Sequence, residues 1–256
     1  MAIRGRCGHG YVTRRRSPPR ELARRGELVA ERDTERPSGR LLRQRDMDAS
    51  YVDLADPTHL EFDYLRWMQI VLLATGARRN LHIGGGACVL PRALAARDPE
   101  GRQVVCERDG EVLAMAREHL GLRRAPGLRV RQAEGGAFLA RQPSASFDAV
   151  VIDAFEGASV PPALVSPQGL REAARVAGLV LINIVDGRTG RLVNSVAGAL
   201  ALTFPEVWRI RGRGGNSVLV GGRLTQPAHQ RIAGQLAGDP SPAQLEAMAV
   251  SERTVS

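Results

Sequence analysis

The 256-residue chain has no lysine; all 36 of its Lys/Arg positions are arginine. This reads as a compositional bias and not as a basic face shaped for a polyanion. The net charge of +9 is also poorly placed for nucleic-acid recognition. Residues 1–45 hold 13 arginines and 5 acids, whereas residues 46–256 hold 23 arginines and 22 acids. The foldable part is nearly neutral, and the leading segment can bind polyanions only without specificity. A nucleic-acid partner is therefore disfavoured.

Aromatic residues make up only 4% of the chain, so the core must be built mainly from Ala, Val, Leu and Ile. No apolar run approaches the roughly 18 residues of a membrane span. The N-terminus carries arginines but no apolar stretch of signal-peptide length, so a cytoplasmic protein is expected. The three cysteines (Cys7, Cys88, Cys106) form no CxxC pair and are expected to be buried thiols. The five histidines show no metal-ligand spacing, so no metal is expected.

What is present centres on Leu81–Glu111. A short apolar run, Leu81-His82-Ile83, meets Gly84-Gly85-Gly86. A helical pattern follows, then a second apolar run, Val104-Val105-Cys106, ending in Glu107. Strand, glycine turn, helix, strand and acid form the unit that binds a nucleoside at the carboxyl edge of a parallel sheet. The glycines let the backbone approach a ligand. Glu107, 21 residues after Gly86, can accept hydrogen bonds from both ribose hydroxyls.

The same alternation continues along the chain. Further strands are expected at Leu128–Gln132, Asp148–Asp153 and Leu179–Ile184, and an antiparallel hairpin at Val207–Arg211 and Ser217–Val220. Helices are expected at Gly110–Leu120, Ser166–Val176 and Gly190–Thr203. Seven strands in this order give an α/β fold with a doubly wound, Rossmann-like sheet. Residues 57–223 form that domain, entered by a helix from about His59 to Ala74. Ahead of it, residues 1–20 read as a disordered Arg-rich tail. Residues 21–56 read as a small β-meander with strands at Glu27–Ala30, Arg40–Arg45 and Ser50–Leu54. Residues 224–256 read as a C-terminal helical tail, with helices near Ala228–Leu236 and Pro242–Ala249.

Ligands of such sheets lie beyond the strand carboxyl ends. Those ends carry Gly84–Gly86, Glu107, Glu134-Gly135 and Asp153, with Glu156 just after. A helix cap is the competing role for any single acid, Glu134 above all. A ring of acids repels phosphate, which disfavours a dinucleotide. It suits S-adenosylmethionine, whose sulfonium, ribose diol and adenine amine all match carboxylates.

Four stretches, SYVDLADPTHLEFDYLR, LHIGGGACVLPR, VVCERDGEVL and FDAVVIDAFEG, together resemble the spermidine synthase (polyamine aminopropyltransferase) family, in its bacterial spermidine synthase-like branch. The resemblance covers about Glu27–Gly221. It implies a class I methyltransferase-type sheet behind an N-terminal β-meander, and a homodimer. It implies that Gly84, Gly85 and Gly86 approach the nucleoside of S-adenosylmethionine or its decarboxylated form. Glu107 then binds the ribose, Glu134-Gly135 meet the adenine edge, and Tyr64, Asp153 and Glu156 hold an amine acceptor. Asp153 is also the catalytic residue, orienting the amine and taking its proton, since a protonated amine cannot attack.

Three departures bear on function. The family's GGGDGG reads GGGACV, so Ala87 replaces an Asp that would hold the amine of the decarboxylated donor. Tyr64-Leu65-Arg66 stands for Tyr-His-Glu, and Ala49 for a Gln of the meander. Losing a charged partner for a buried cation costs on the order of 2–5 kcal/mol. Three readings follow: aminopropyl transfer to an amine, methyl transfer to an amine or other nucleophile, and a non-catalytic nucleoside-binding protein.

Overall fold

The structure, a computed structural model, describes residues 18–45, 47–157, 159–186, 190–213 and 215–248. Four antiparallel strands come first: β1 (Arg20–Arg25), β2 (Leu28–Arg32), β3 (Gly39–Gln44) and β4 (Met47–Asp53). Helix α1 (Asp63–Thr75) leads into the main sheet and starts four residues later than the expected His59. There follow β5 (Arg79–Gly84), α2 (Val89–Arg97), β6 (Arg102–Glu107), α3 (Gly110–His119), β7 (Leu128–Gln132), α4 (Gly135–Ala140) and β8 (Phe147–Asp153). The chain continues through α5 (Pro162–Val165), α6 (Pro167–Val176), β9 (Ala177–Val185), α7 (Arg191–Ala201), β10 (Val207–Arg211), β11 (Asn216–Gly221), α8 (Gln226–Ala237) and β12 (Gln244–Ala247).

The main sheet has the order β12-β10-β11-β9-β8-β5-β6-β7. Strands β5 to β9 pair in parallel, whereas β11, β10 and β12 pair antiparallel. The order reverses between β5 and β8, which opens a crevice at their carboxyl ends. One apolar layer holds Trp67, Met68 and Leu72 of α1 with Ile232 and Leu236 of α8; all five are fully buried. The opposite layer holds Leu170, Val193 and Leu200 against Ile152 and Ile182. Each such side chain contributes roughly 1.5–3 kcal/mol by leaving water. Cys88 and Cys106 are buried free thiols, as expected. No helix among the described residues is long and apolar enough to cross a membrane.

Three expectations are corrected or left outside. The meander has a fourth strand, β1, which lacks an apolar face and is held by pairing with β2. It is also held by Arg25, whose guanidinium reaches Glu111 and Glu118 of α3. The expected helix near Pro242–Ala249 is instead β12, an eighth strand of the main sheet. The free edge of β10 offers backbone partners to a strand that an eight-residue helix would leave unmatched. Residues 224–248 are thus built into the main sheet and its helical layer. The disordered tail expected over 1–20 lies outside the described residues except for its last three, of which Arg20 opens β1.

Candidate active site

The glycine turn closes β5 against β8. Gly84 has φ +79°, and a Cβ there would lie 2.6 Å from both the Ala154 Cα and the Asp153 carbonyl oxygen. Gly85 has φ +100° and open space where its Cβ would be. Its N–H donates to the Asp153 carbonyl at 2.9 Å. Helix α2 starts after Cys88, itself at φ +60°, and Pro91 falls in the first turn, where its missing N–H costs nothing.

At the end of β6, Glu107 is buried, and its Oε1 accepts the Asp109 N–H at 2.9 Å. Burial pushes its carboxyl upward, opposed by that backbone donor. Asp109 caps α3 through the Glu111 and Val112 N–H groups. Glu134 caps α4 in the same way, accepting from Gly136 at 2.8 Å and Ala137 at 2.6 Å. The Ala137 and Gly136 donors hold its carboxyl below the usual range. The capping role weighed for Glu134 is therefore the one its carboxylate performs, while Glu134 and Gly135 still line the cleft.

Asp153 ends β8. Its Oδ1 accepts from Asn183 Nδ2 at 2.9 Å, and its Oδ2 from the Tyr64 hydroxyl at 3.3 Å. Asn183 in turn accepts from Asn216 Nδ2 at 2.9 Å. Burial pushes the Asp153 carboxyl up to about 6, against the pull of the Asn183 and Tyr64 donors. The cavity between these strand ends, about 220 Å³, is lined by Tyr64, Gly84, Gly85, Gly86, Glu107, Glu134, Gly135 and Asp153. Eight of the nine expected site residues meet there. Glu156 is not among the lining residues. Its exposed carboxylate sits 3.4 Å from Arg108 Nη2, and its backbone bridges to Ser159.

Sequence reasoning missed Asp48, Asn183 and Asn216, which also line the cavity. Asn183 left a signal: it is the one polar residue in the apolar run Leu179–Val185. Arg66 does not put its charge into the cleft. Its guanidinium grips Asp239 at 3.0 Å and the Leu60 and Glu61 carbonyls, tying α1 to the turn after α8. Arg66→Leu is expected to cost about 2–3 kcal/mol in urea denaturation, because it strands a buried Asp239 carboxylate. Ligand affinity at constant folded fraction should not change. Ala87 is fully buried, and its N–H donates to Ser50 Oγ at 3.1 Å. Among the described residues, no group of three or more His, Cys, Asp or Glu side chains comes together as a metal site.

A doubly wound sheet with its cleft at the β5/β8 reversal, a glycine turn and an acid after the second strand define a Rossmann-like fold of the class I methyltransferase type. The antiparallel sheet ahead of it gives the spermidine synthase-like form of that fold. A probable spermidine synthase from Corynebacterium glutamicum superposes with a TM-score of 0.80 at 26% identity, over 90% of this chain and 91% of that one. A spermidine synthase in complex with the transition state analogue AdoDATO gives 0.60 at 15% identity, over 78% and 71%. Human methyltransferase-like protein 13 in complex with SAH gives 0.59 at 20% identity, over 76% and 97%. No protein-family model and no curated protein matches the sequence.

Proposed function

We propose that the protein is a transferase that moves an alkyl group from an S-adenosyl sulfonium donor to an amine. The observation that carries this reading is Asp153: a carboxylate held by two donors at the cleft, pushed up to about 6 by burial. A carboxylate so placed is matched to taking a proton near neutral pH. A mere nucleoside binder has no use for it.

The residues present fit such a donor. Glu107 is a buried carboxylate on the cavity wall, suited to a ribose diol. Gly85 leaves open space for a ligand against the backbone. Among the described residues, Asp48, Glu107, Asp109, Glu134 and Asp153 line the cavity against one arginine, Arg108, which lies 3.4 Å from Glu156. This charge balance among the described residues favours a cation over a carboxylate, so the decarboxylated donor fits better than S-adenosylmethionine. When bound, the sulfonium supplies a carbon whose bond to sulfur is ready to break. Asp153 orients the acceptor nitrogen and takes its proton as the new C–N bond forms and the C–S electron pair returns to sulfur. Tyr64 and Asn183 hold the Asp153 oxygens in place.

Methyl transfer is the second reading, favoured by Ala87: the acid that would repel an amino-acid carboxylate is absent from the turn. Calorimetric titration with both donors separates the two, the tighter donor marking the reaction. Binding of neither would end the transferase reading. Glu107→Gln should weaken the preferred donor about 10- to 100-fold, because a charge-assisted hydrogen bond to ribose is replaced by a neutral one. An unchanged Kd would remove Glu107 from the donor site.

A further inference from the structure

Asp153, Asn183 and Asn216 stand in a row across β8, β9 and β11. Residues two apart on a strand share a face. The row therefore continues the apolar face of Val151, Leu181 and Val218, and turns it polar where the sheet meets the cleft. Both asparagines are buried. Burying an amide costs free energy unless it is hydrogen-bonded. Valine and leucine fill the same face two residues away, so packing alone does not call for asparagine here.

The row has a direction. An ionised carboxylate only accepts, so the Asn183 atom facing it must be Nδ2, which donates to Asp153 Oδ1 at 2.9 Å. Asn183 Oδ1 then needs a donor, and Asn216 Nδ2 supplies it at 2.9 Å. Without that donor, Asn183 Oδ1 would be a buried acceptor lacking its partner. Asn183 recovers the loss by turning into the cleft whose wall it forms, and Asp153 then loses the nearer of its two donors.

We propose that Asn216 is a positioning residue for Asp153: through its hydrogen bond to Asn183 it holds that amide against the carboxylate and keeps the base ready to accept a proton. The functional half of the inference rests on the reading of Asp153 as the base of the transfer. The titratable and charged groups around Asp153 come from other elements: Tyr64 on α1, His82 on β5, Asp48 on β4, Glu107 with Arg108 and Asp109 at the end of β6, and Glu134 ahead of α4. Strands β9 and β11 carry none. Replacing Asn216 by leucine changes no charge, so a shift in the Asp153 titration reports the amide contact.

The test is a carbon-13 NMR titration of the aspartate carboxyls, with the Asp153 signal assigned by its loss in Asp153→Asn. Asn216→Leu is expected to move the Asp153 midpoint upward by about one pH unit, because the ionised form loses a charge-assisted donor. Asn183→Ala should move it at least as far, and adding Asn216→Leu to Asn183→Ala should move it no further. A midpoint unchanged in folded Asn216→Leu overturns the proposal. So does a further shift in the double variant, since Asn216 would then act by another route. Wild type alone gives a second measurement that needs no folded Asn216 variant: the side-chain NH₂ signals of Asn183 and Asn216 should both titrate at the Asp153 midpoint, and signals that stay still overturn the proposal. The pH profile of transfer from decarboxylated S-adenosylmethionine to 1,4-diaminobutane should shift by the same amount as the carboxyl midpoint. A midpoint that moves while the profile stays overturns the base role of Asp153 and leaves its positioning by Asn216 in place. Wild type that transfers nothing from this donor or from S-adenosylmethionine overturns the transferase reading, again apart from the NMR result.

Discussion

Asp153→Asn is expected to lower turnover by about 10²- to 10⁴-fold while leaving donor affinity within a few-fold of wild type. The amide keeps the shape and can still accept from Asn183, but it cannot take a proton. The pH profile carries a second signature. Burial raises the carboxyl from 3.8 to about 6, so the basic form fills as pH rises through about 6. Wild-type turnover should climb about tenfold per pH unit below that point and level off above it, and the variant should lose this limb. Stability should move the other way. A carboxyl whose folded pKa lies above its unfolded one binds its proton more tightly when folded. Its contribution to stability is fully present below about 4 and is lost as pH rises to about 6. At pH 8 the ionised group therefore costs on the order of 1–3 kcal/mol, and Asp153→Asn should melt higher than wild type there. The gap should close below pH 4. A variant that kept its activity, or that melted lower at pH 8, would remove Asp153 from the role of buried base.

Gly84→Ala is expected to destabilise the fold by on the order of 3–5 kcal/mol in urea denaturation. Two costs add. Alanine resists φ +79°, and its Cβ would sit 2.6 Å from the Ala154 Cα and the Asp153 carbonyl oxygen. Both obstacles are backbone, so no rotamer change relieves them. β5 would have to part from β8, and the hydrogen bond from Gly85 to Asp153 would go with it. Gly85→Ala is the matched control: its φ of +100° brings strain, but no atom lies within 4 Å of the new methyl. It should cost only about 1–2 kcal/mol while obstructing the cleft. Equal destabilisation by the two variants would contradict the close approach at Gly84.

The central unit was legible because its signals are local. Apolar runs of strand length, three glycines and a terminal acid sit next to one another in sequence, and they fix β5, α2, β6 and Glu107 without help from elsewhere. The β10 strand and the joining of β10 to β11 in a hairpin were legible for the same reason. What escaped depends on distant pairing. Asn183 and Asn216 meet because β9 and β11 run antiparallel with Asn183 opposite Val218, which places the two asparagines as diagonal neighbours on one face. The side-chain direction of Arg66 was set by Asp239, 173 residues away. Glu134 and Glu156 were found as residues, but whether a carboxylate turns to a ligand, its own helix or a neighbouring arginine is a matter of rotamer and not of spacing. The bulge at Ala49 is a one-residue slip between β3 and β4, and pattern alone does not show it.

The placement of β12 has a consequence for how the molecule is made. During synthesis β10 emerges well before the strand that covers it, with all of α8 between them. Until β12 docks, Trp208 and Ile210 lie on a strand whose outer backbone donors and acceptors are unsatisfied, a ready template for another nascent chain. The order of emergence, and not the finished fold, then decides when the growing polypeptide is most prone to aggregate: the interval between release of Arg211 and release of Gln244.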